Sequence, residues 1–206
     1  MLLDRLQSSN KVLYPTNDRN IKSGSELLDE RPTDKLNRLL LDNVEKTPFY
    51  VNILRNEVET QNIMELASIH GISSDPWLNF KKAEVSPLWC CLVRMLQIRP
   101  SLHSLMQLSN QHQSEYVQIL IVLYARYAVK ETQFSKAIDI FKHHNIKMKV
   151  DSADFDMLSF FNSLLENRKF KDMELPPLSL VTRRSLQMRK LSEKYCSSNG
   201  SEALSS

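Results

Sequence analysis

One segment near the middle of the chain, YVQILIVLYARYAV from Tyr116 to Val129, constrains the fold more than any other. Its fourteen residues include only two polar side chains, Gln118 and Arg126. A membrane-spanning helix needs about 20 predominantly apolar residues, and this segment is closed by Glu115 on one side and Lys130 on the other. The segment therefore predicts a helix buried at the centre of a helical bundle rather than a membrane span.

Glycine is scarce, with three in 206 residues against an average share of about 7%. Gly24 and Gly200 lie near the ends of the chain, so only Gly71 falls within the predicted domain. A P-loop or a dinucleotide-binding turn requires several glycines close together, and folds rich in β-hairpins use glycine in their turns. The scarcity excludes those two nucleotide sites and favours an all-α fold.

Start and stop signals predict several further helices. Ser86-Pro87 supplies an N-cap and a proline at the first helical position, and Arg99-Pro100 ends the helix LWCCLVRMLQI. Gly71 is expected to end another helix in the left-handed conformation. Helical spacing of apolar residues marks the remaining helices, which begin near Thr33, Glu57, Leu102, Phe134, Phe155 and Leu180. The segment 72–85 reads as a loop, and IKMKV at 146–150 is the only segment that alternates like a strand.

These patterns predict an all-α fold, a compact single-domain bundle of seven to nine helices with at most one very short β element. The helical domain is expected at residues 33–195. A flexible N-terminal arm is expected at 1–32, where charged and polar residues show no sustained apolar period. A disordered tail is expected at 196–206, CSSNGSEALSS.

The sequence predicts no catalytic residues, no metal and no cofactor. The three cysteines, Cys90, Cys91 and Cys196, do not form a disulfide framework and indicate a reducing, intracellular compartment. Cys90 and Cys91 lie among apolar residues, which is typical of buried cysteines and not of nucleophiles. The five histidines lack the spacing of a metal site.

Two basic segments, 142–149 and 183–194, stand out from a formal net charge of only +3. Each is either a solvated face or a contact with RNA or an acidic partner. Neither is accompanied by the paired strand aromatics or the GXXG loop of common RNA-binding modules. The candidate contact residues are the cations Lys147, Lys149, Arg183, Arg184, Arg189 and Lys190.

An arginine within an apolar helix must reach water, pair with a carboxylate or meet a partner. We expect Arg126 to be paired with a carboxylate or to lie at a partner-facing edge. Arg94 and Gln97 raise the same question on the earlier apolar helix. Aromatic residues and arginine are the usual anchors of protein interfaces, so Trp77, Arg94, Arg126 and Tyr127 are the predicted partner-binding residues, provided that they are exposed.

The order of these motifs resembles the pre-mRNA-splicing factor 38 family. The resemblance is carried by Ser86-Pro87 with the following LWCCLVRMLQIRP and by EYVQILIVLYARY at 115–127. Thr47-Pro48-Phe49-Tyr50, Asp75-Pro76-Trp77 and Leu175-Pro176 are similar to flanking blocks of the family. The resemblance covers residues 34–192. Two positions depart from the family pattern: the usual glycine-rich turn is replaced by FKKAEV, and a Leu-Gly is replaced by Ile-Val-Leu. With these differences, and without a charged C-terminal tail, the chain resembles a divergent, short member.

This resemblance implies a nuclear, non-enzymatic scaffold of the spliceosome. It implies a component of the tri-snRNP or precatalytic complex that is required for spliceosome activation. The implied partners are a zinc-finger splicing protein and a protein similar to microfibril-associated protein 1, whose linear segments would dock in grooves between helices. Contact with snRNA would be secondary. The alternative interpretation is a helical RNA-binding protein that contacts snRNA through segments 142–149 and 183–194.

Overall fold

Eight α-helices form most of the structure, a computed structural model that describes residues 26–79, 84–111, 114–144, 146–150 and 153–202. A 3-10 turn at Pro32–Lys35 precedes the first helix, and a π-helical turn at Tyr50–Leu54 and a 3-10 turn at Glu131–Gln133 lie between later helices. This architecture confirms the predicted helical fold class. The helices are α1 (Arg38–Val44), α2 (Thr60–His70), α3 (Pro87–Ile98), α4 (Leu102–Ser109), α5 (Glu115–Ala128), α6 (Phe134–His144), α7 (Met157–Glu166) and α8 (Leu180–Glu202).

Helix α5 is the centre of the bundle. Every residue from Val117 to Ala128 is buried, and the helix contacts α2, α3, α4 and α7. Burial on all sides explains why its sequence lacks the polar face of a surface helix. Among the described residues, no helix has both the length and the apolar character required to cross a membrane.

Helix α3 begins and ends as its sequence predicts. Ser86 occupies the N-cap position, Pro87 is the first helical residue, and Arg99 follows the last turn in the left-handed conformation with φ 55°. Trp89 is fully buried, and its indole Nε1 donates a hydrogen bond of 3.0 Å to the carbonyl oxygen of Ser74. This bond ties α3 to the segment that precedes it.

Three antiparallel hairpins accompany the helices. They consist of β1 (Trp77–Asn79) with β2 (Glu84–Val85), β3 (Lys147–Val150) with β4 (Ala153–Asp156), and β5 (Lys169–Phe170) with β6 (Met173–Glu174). The sequence predicts only β3 and therefore fewer β elements than the described residues contain. The two-residue strands β2, β5 and β6 are too short to establish an alternating pattern, and such hairpins depend on packing against helices.

Several predicted boundaries differ from the observed ones. The first helix is interrupted: the 3-10 turn at Pro32–Lys35 precedes α1, whose N-cap Asn37 accepts a hydrogen bond of 2.8 Å from the Leu39 amide. Gly71 ends α2 with φ −73°, which is not left-handed. Glycine is needed there because an added Cβ would lie 2.4 Å from the Ala67 carbonyl oxygen and 2.8 Å from Tyr116 Cβ.

The two predicted tails are only partly described. Residues 1–25 of the arm lie outside the described residues, whereas Leu28 is buried and pairs with Val129. The Asp29 amide also donates to the Ala128 carbonyl at 2.6 Å, so residues 27–29 belong to the domain. Helix α8 continues to Glu202 through most of the segment 196–206, since extending a formed helix adds one hydrogen bond per residue. Residues 203–206 lie outside the described residues.

Candidate partner-docking site

Arg126 is buried, with 2% of its surface exposed, and no carboxylate forms an ion pair with it among the described residues. Its Nε donates a hydrogen bond of 3.0 Å to the carbonyl oxygen of Leu164, and its Nη2 donates to that of Pro176. Its guanidinium carbon lies 5.7 Å from the centre of the Phe134 ring. The expected carboxylate partner is therefore wrong, because two backbone carbonyls satisfy the guanidinium.

The position of these carbonyls explains why they accept from a side chain. Leu164 lies in the last turn of α7, where carbonyl groups have no amide donor within the helix. Pro176 follows β6 in a segment of irregular backbone. Burial lowers the pKa of Arg126 to about 10, so the guanidinium remains charged at neutral pH. Arg126 thus connects α5 to the end of α7 and to Pro176.

The residues that follow Arg126 hold the same region together. Tyr127 is fully buried, and its hydroxyl donates to the Glu174 carbonyl at 3.2 Å. Glu131 Oε2 accepts from the Ser179 amide at 3.0 Å and from the Thr182 hydroxyl at 2.8 Å, which fixes the first turn of α8. Neither Tyr127 nor Arg126 meets the condition of exposure under which each was predicted as a partner-binding anchor, because both side chains are buried.

An open groove lies between α7 and α8, with a cavity volume of about 880 Å³. Arg126 and Pro176 contribute to its lining, and further polar residues come from α6 and from the β5–β6 hairpin. The apolar part of the lining comes from several elements, namely Ile138, Leu158, Leu165, Leu178 and Leu186. We call this space the α8 groove.

Helix α8 is attached to the domain mainly by polar contacts. Arg189 pairs with Asp139 at 2.5 Å and donates to the Ser135 carbonyl at 2.9 Å, and Lys190 pairs with Glu166. None of the α8 side chains whose burial is described falls in the buried class, although Leu186 packs partly against the core. Helix α8 therefore covers the groove without filling it with buried side chains.

The two faces of α8 differ in character. The face toward the groove carries residues at positions i, i+3, i+4 and i+7, namely Arg183, Leu186, Gln187 and Lys190. The opposite face carries apolar side chains in solvent: Leu180 is 71% exposed, Val181 78%, Met188 66% and Leu191 49%. Arg184 is exposed and lies between them on the helical surface.

Four of the six predicted RNA-contact cations face or pair with carboxylates. Lys147 and Lys149 are exposed on β3 and face Asp156 and Asp154 of β4 in the strand register, an arrangement in which opposite charges stabilise a hairpin. Arg189 and Lys190 form the ion pairs described above. Arg183 is half-buried in the wall of the groove.

Trp77 and Arg94 do not line the groove. Trp77 is half-buried in β1 against the core. Arg94 is half-buried on α3, where its Nε donates to the Glu57 carbonyl at 2.6 Å and its Nη1 donates to Gln97 Oε1 at 3.0 Å. Gln97 also accepts from the Tyr50 hydroxyl at 2.7 Å. The four predicted anchors therefore do not form a single site.

Sequence reasoning identified four cations of the groove lining, Arg126, Arg183, Arg189 and Lys190, but not the apolar residues and the proline segment that complete the groove. Leu175-Pro176 is named only as a flanking block in the family resemblance, and Glu131 carries no local signal. The proline pair could have indicated an irregular segment whose carbonyls need an external donor, since the second proline provides no amide.

The structure provides little for metal or nucleophilic chemistry in the described residues. No group of histidine, cysteine and acidic side chains is arranged there to hold a metal ion. Burial raises the pKa of Cys90 to about 12 and also raises that of Cys91, so both remain protonated thiols. The side chain of Cys196 lies outside the described residues.

The chain matches the sequence model of the PRP38 family over residues 26–188. No curated protein matches it. A solved structure with a similar fold is Prp38 in the Snu23–Prp38–MFAP1(217–258) complex of Chaetomium thermophilum, with a TM-score of 0.58 and 16% sequence identity. The match covers 78% of this chain and 84% of that chain. At this identity the similarity concerns the fold.

Proposed function

The chain belongs to the PRP38 family, and on this premise we propose that it is a non-enzymatic protein-interaction scaffold in pre-mRNA splicing. The family match supports the link to splicing, and the open groove beneath α8 carries the proposal of a scaffold. In finer terms, the protein is a nuclear component of the tri-snRNP or precatalytic complex that is required for spliceosome activation.

The proposed partners are the counterparts of Snu23 and MFAP1. Support comes from the similar fold of Prp38 in its complex with these two proteins, one of which is present as residues 217–258. The proposal is that a partner segment of comparable length docks on the surface of the fold. The same mode in this chain needs a groove that remains open after the domain has folded.

The α8 groove meets this requirement. Its volume of about 880 Å³ is at the upper end of the roughly 300–1,000 Å³ of ligand-binding cavities. Leu158, Leu165 and Leu178 provide apolar contacts for the side chains of a docked segment. Helix α8 closes one side of the groove and is held there by ion pairs and hydrogen bonds.

Two arginines of the groove have shifted pKa values and suit the binding of a partner. Burial lowers the pKa of Arg126, and hydrogen bonding to Asp139 raises that of Arg189. Both guanidiniums stay protonated at neutral pH, so neither provides the general base that most hydrolytic or transfer reactions need.

Direct binding of snRNA has weaker support. Four of the six predicted contact cations face or pair with carboxylates, as described above, and this reduces the attraction for phosphate. We therefore place RNA contact second, as an accessory to protein binding.

Purification of the tagged protein from nuclei, followed by identification of the bound proteins and RNA, tests the proposed function. We expect splicing proteins, including the Snu23 and MFAP1 counterparts, and calorimetry with those proteins should show direct binding. Leu186→Glu should abolish binding, because Leu186 faces the groove, whereas Leu191→Glu on the outer face should not. A purified complex without splicing proteins would contradict the proposal, and loss of binding only with Leu191→Glu would move the docking site to the outer face.

A further inference from the structure

The α8 groove carries an excess of positive charge. Seven cationic side chains and three carboxylates line it among the described residues, a net charge of +4. Some of these cations are already satisfied. Lys142 lies 3.9 Å from Glu193, Arg189 and Lys190 form ion pairs, and Arg126 donates to carbonyls.

Two of the groove cations, Arg168 and Arg183, neither form an ion pair with a carboxylate nor face one across a hairpin among the described residues, whereas Lys169 faces Glu174 in the β5–β6 register. They lie on two walls. Arg168 immediately precedes β5, and Arg183 is on α8. Apolar side chains, including Leu165 and Leu178, lie on the same lining. The groove therefore combines apolar contacts with unpaired positive charge on opposite elements.

We propose that the α8 groove binds an acidic linear segment of another protein, whose carboxylates pair with Arg183 and Arg168 while its apolar side chains contact the leucines of the lining. This inference rests on the proposed function and specifies the chemistry of the partner. Complementary charge at a partly enclosed site selects for such a segment and against basic ones.

The lining favours a peptide over RNA. Single-stranded RNA is held by aromatic side chains on which its bases stack, and no aromatic residue lines the groove among the described residues. The leucines of the groove match apolar side chains, which a sugar–phosphate backbone does not have. Charge alone would attract either polymer, but the apolar contacts are available only to the peptide.

Arg183 and Arg184 provide a matched test, since they are adjacent in the sequence but lie on different faces of α8. The probes are overlapping short peptides that cover the Snu23 and MFAP1 counterparts, the tightest binder with its carboxylates replaced by amides, and an oligouridylate. Fluorescence anisotropy measures binding to the wild type, Arg183→Glu and Arg184→Glu. Circular dichroism checks the helix content of each variant, and Arg168→Glu on the opposite wall serves as a second variant if Arg183→Glu does not fold.

We expect the tightest binder to be acidic. Both the amide peptide and Arg183→Glu should weaken its binding by at least about tenfold, the effect of losing a close charge pair, whereas Arg184→Glu should change it by less than about threefold, as for an exposed charge. Equal binding of the amide peptide, or no effect of Arg183→Glu, would overturn this inference and leave the scaffold function standing. Failure of every peptide and of both full-length partners would overturn both. Binding of only the oligouridylate, dependent on Arg183, would assign the groove to RNA.

Discussion

Arg126→Lys is the substitution that best tests how the central helix is connected to its surroundings. It keeps the positive charge and most of the length of the side chain, so a conservative view predicts little effect. The structure predicts the opposite, because the guanidinium reaches two carbonyls in different elements, Leu164 and Pro176, through two different nitrogens. An ammonium group concentrates its donors at one point and lacks this fork.

The magnitude follows from what each variant retains. Burial lowers the pKa of Arg126 from 12.5 to about 10, which corresponds to about 3 kcal/mol against the charged form. Lysine keeps a cost of this kind, leaves one carbonyl unsatisfied at about 2 kcal/mol, and loses the contact of the guanidinium with Phe134 at about 1 kcal/mol. We expect Arg126→Lys to reduce the free energy of unfolding by about 3 kcal/mol.

Arg126→Met is the matched comparison. It leaves two buried carbonyls unsatisfied, at about 4 kcal/mol together, and also loses the cation–π contact. It relieves the desolvation of the charge, about 3 kcal/mol, so the net loss is about 2 kcal/mol. Arg126→Lys should therefore be at least as destabilising as Arg126→Met, although lysine is the more similar residue.

Equilibrium unfolding in urea, followed by far-ultraviolet circular dichroism, measures both free energies. The slope of the transition should be the same in all three proteins. If Arg126→Lys stays within about 0.5 kcal/mol of the wild type, the size of an ordinary surface substitution, then a point charge is sufficient and the argument from the fork is refuted. Arg126→Met far less stable than Arg126→Lys would refute the argument that relief of desolvation compensates for lost bonds.

Three further substitutions follow from the structure. Gly71→Ala should lower the free energy of unfolding by about 1–3 kcal/mol, because its Cβ would lie 2.4 Å from the Ala67 carbonyl oxygen; an unchanged urea midpoint would contradict this. Arg99→Gly should raise the free energy of unfolding by up to about 1 kcal/mol, because it removes a Cβ from a left-handed position; thermal denaturation that shows a loss would argue against it. In Glu131, burial alone would raise the pKa, but the hydrogen bonds at the start of α8 outweigh this and lower it from 4.5. A carboxyl whose pKa is lowered by folding stabilises the protein at pH values above its pKa in the unfolded state, and this contribution is lost as the pH falls through its pKa in the folded state. Glu131→Gln should therefore be most destabilised relative to the wild type at neutral pH and approach it in acid. Urea midpoints measured from neutral to acidic pH check this convergence.

Local sequence signals predicted those helices whose ends or burial are determined by their own residues. Helix α3 begins at Ser86-Pro87 and ends at Arg99-Pro100, because a proline favours the first helical position and restricts the residue before it. The apolar run at 116–129 predicted the buried α5 because only a helix surrounded by other elements can bury all of its faces. The family could also be predicted from the sequence, since the order of such motifs along the chain is recognisable without any long identical segment.

The environment of Arg126 could not be predicted from local signals. Its acceptors lie 38 and 50 residues away in the sequence, and a backbone carbonyl leaves no trace in residue type. The apolar stretch shows that the arginine needs a partner, but a carboxylate is only one of the possible acceptors. The hairpin strands other than β3 and the shape of the groove were not predicted for a related reason, because they depend on the packing of segments that are short or distant in sequence.

The groove is an extension of the core rather than an independent surface. Arg126 holds Pro176, which lines the groove, and Glu131 holds the first turn of α8, which covers it. Arg126 lies in the last turn of α5, and Glu131 lies in the 3-10 turn that follows this helix. A substitution at Arg126 should therefore weaken both the fold and partner binding, whereas Arg183→Glu should weaken binding alone because Arg183 has no partner within the described residues. The comparison separates residues that shape the groove from residues that contact the bound segment. Substitutions of the first kind should lower both partner binding and the free energy of unfolding, whereas substitutions of the second kind should lower binding alone.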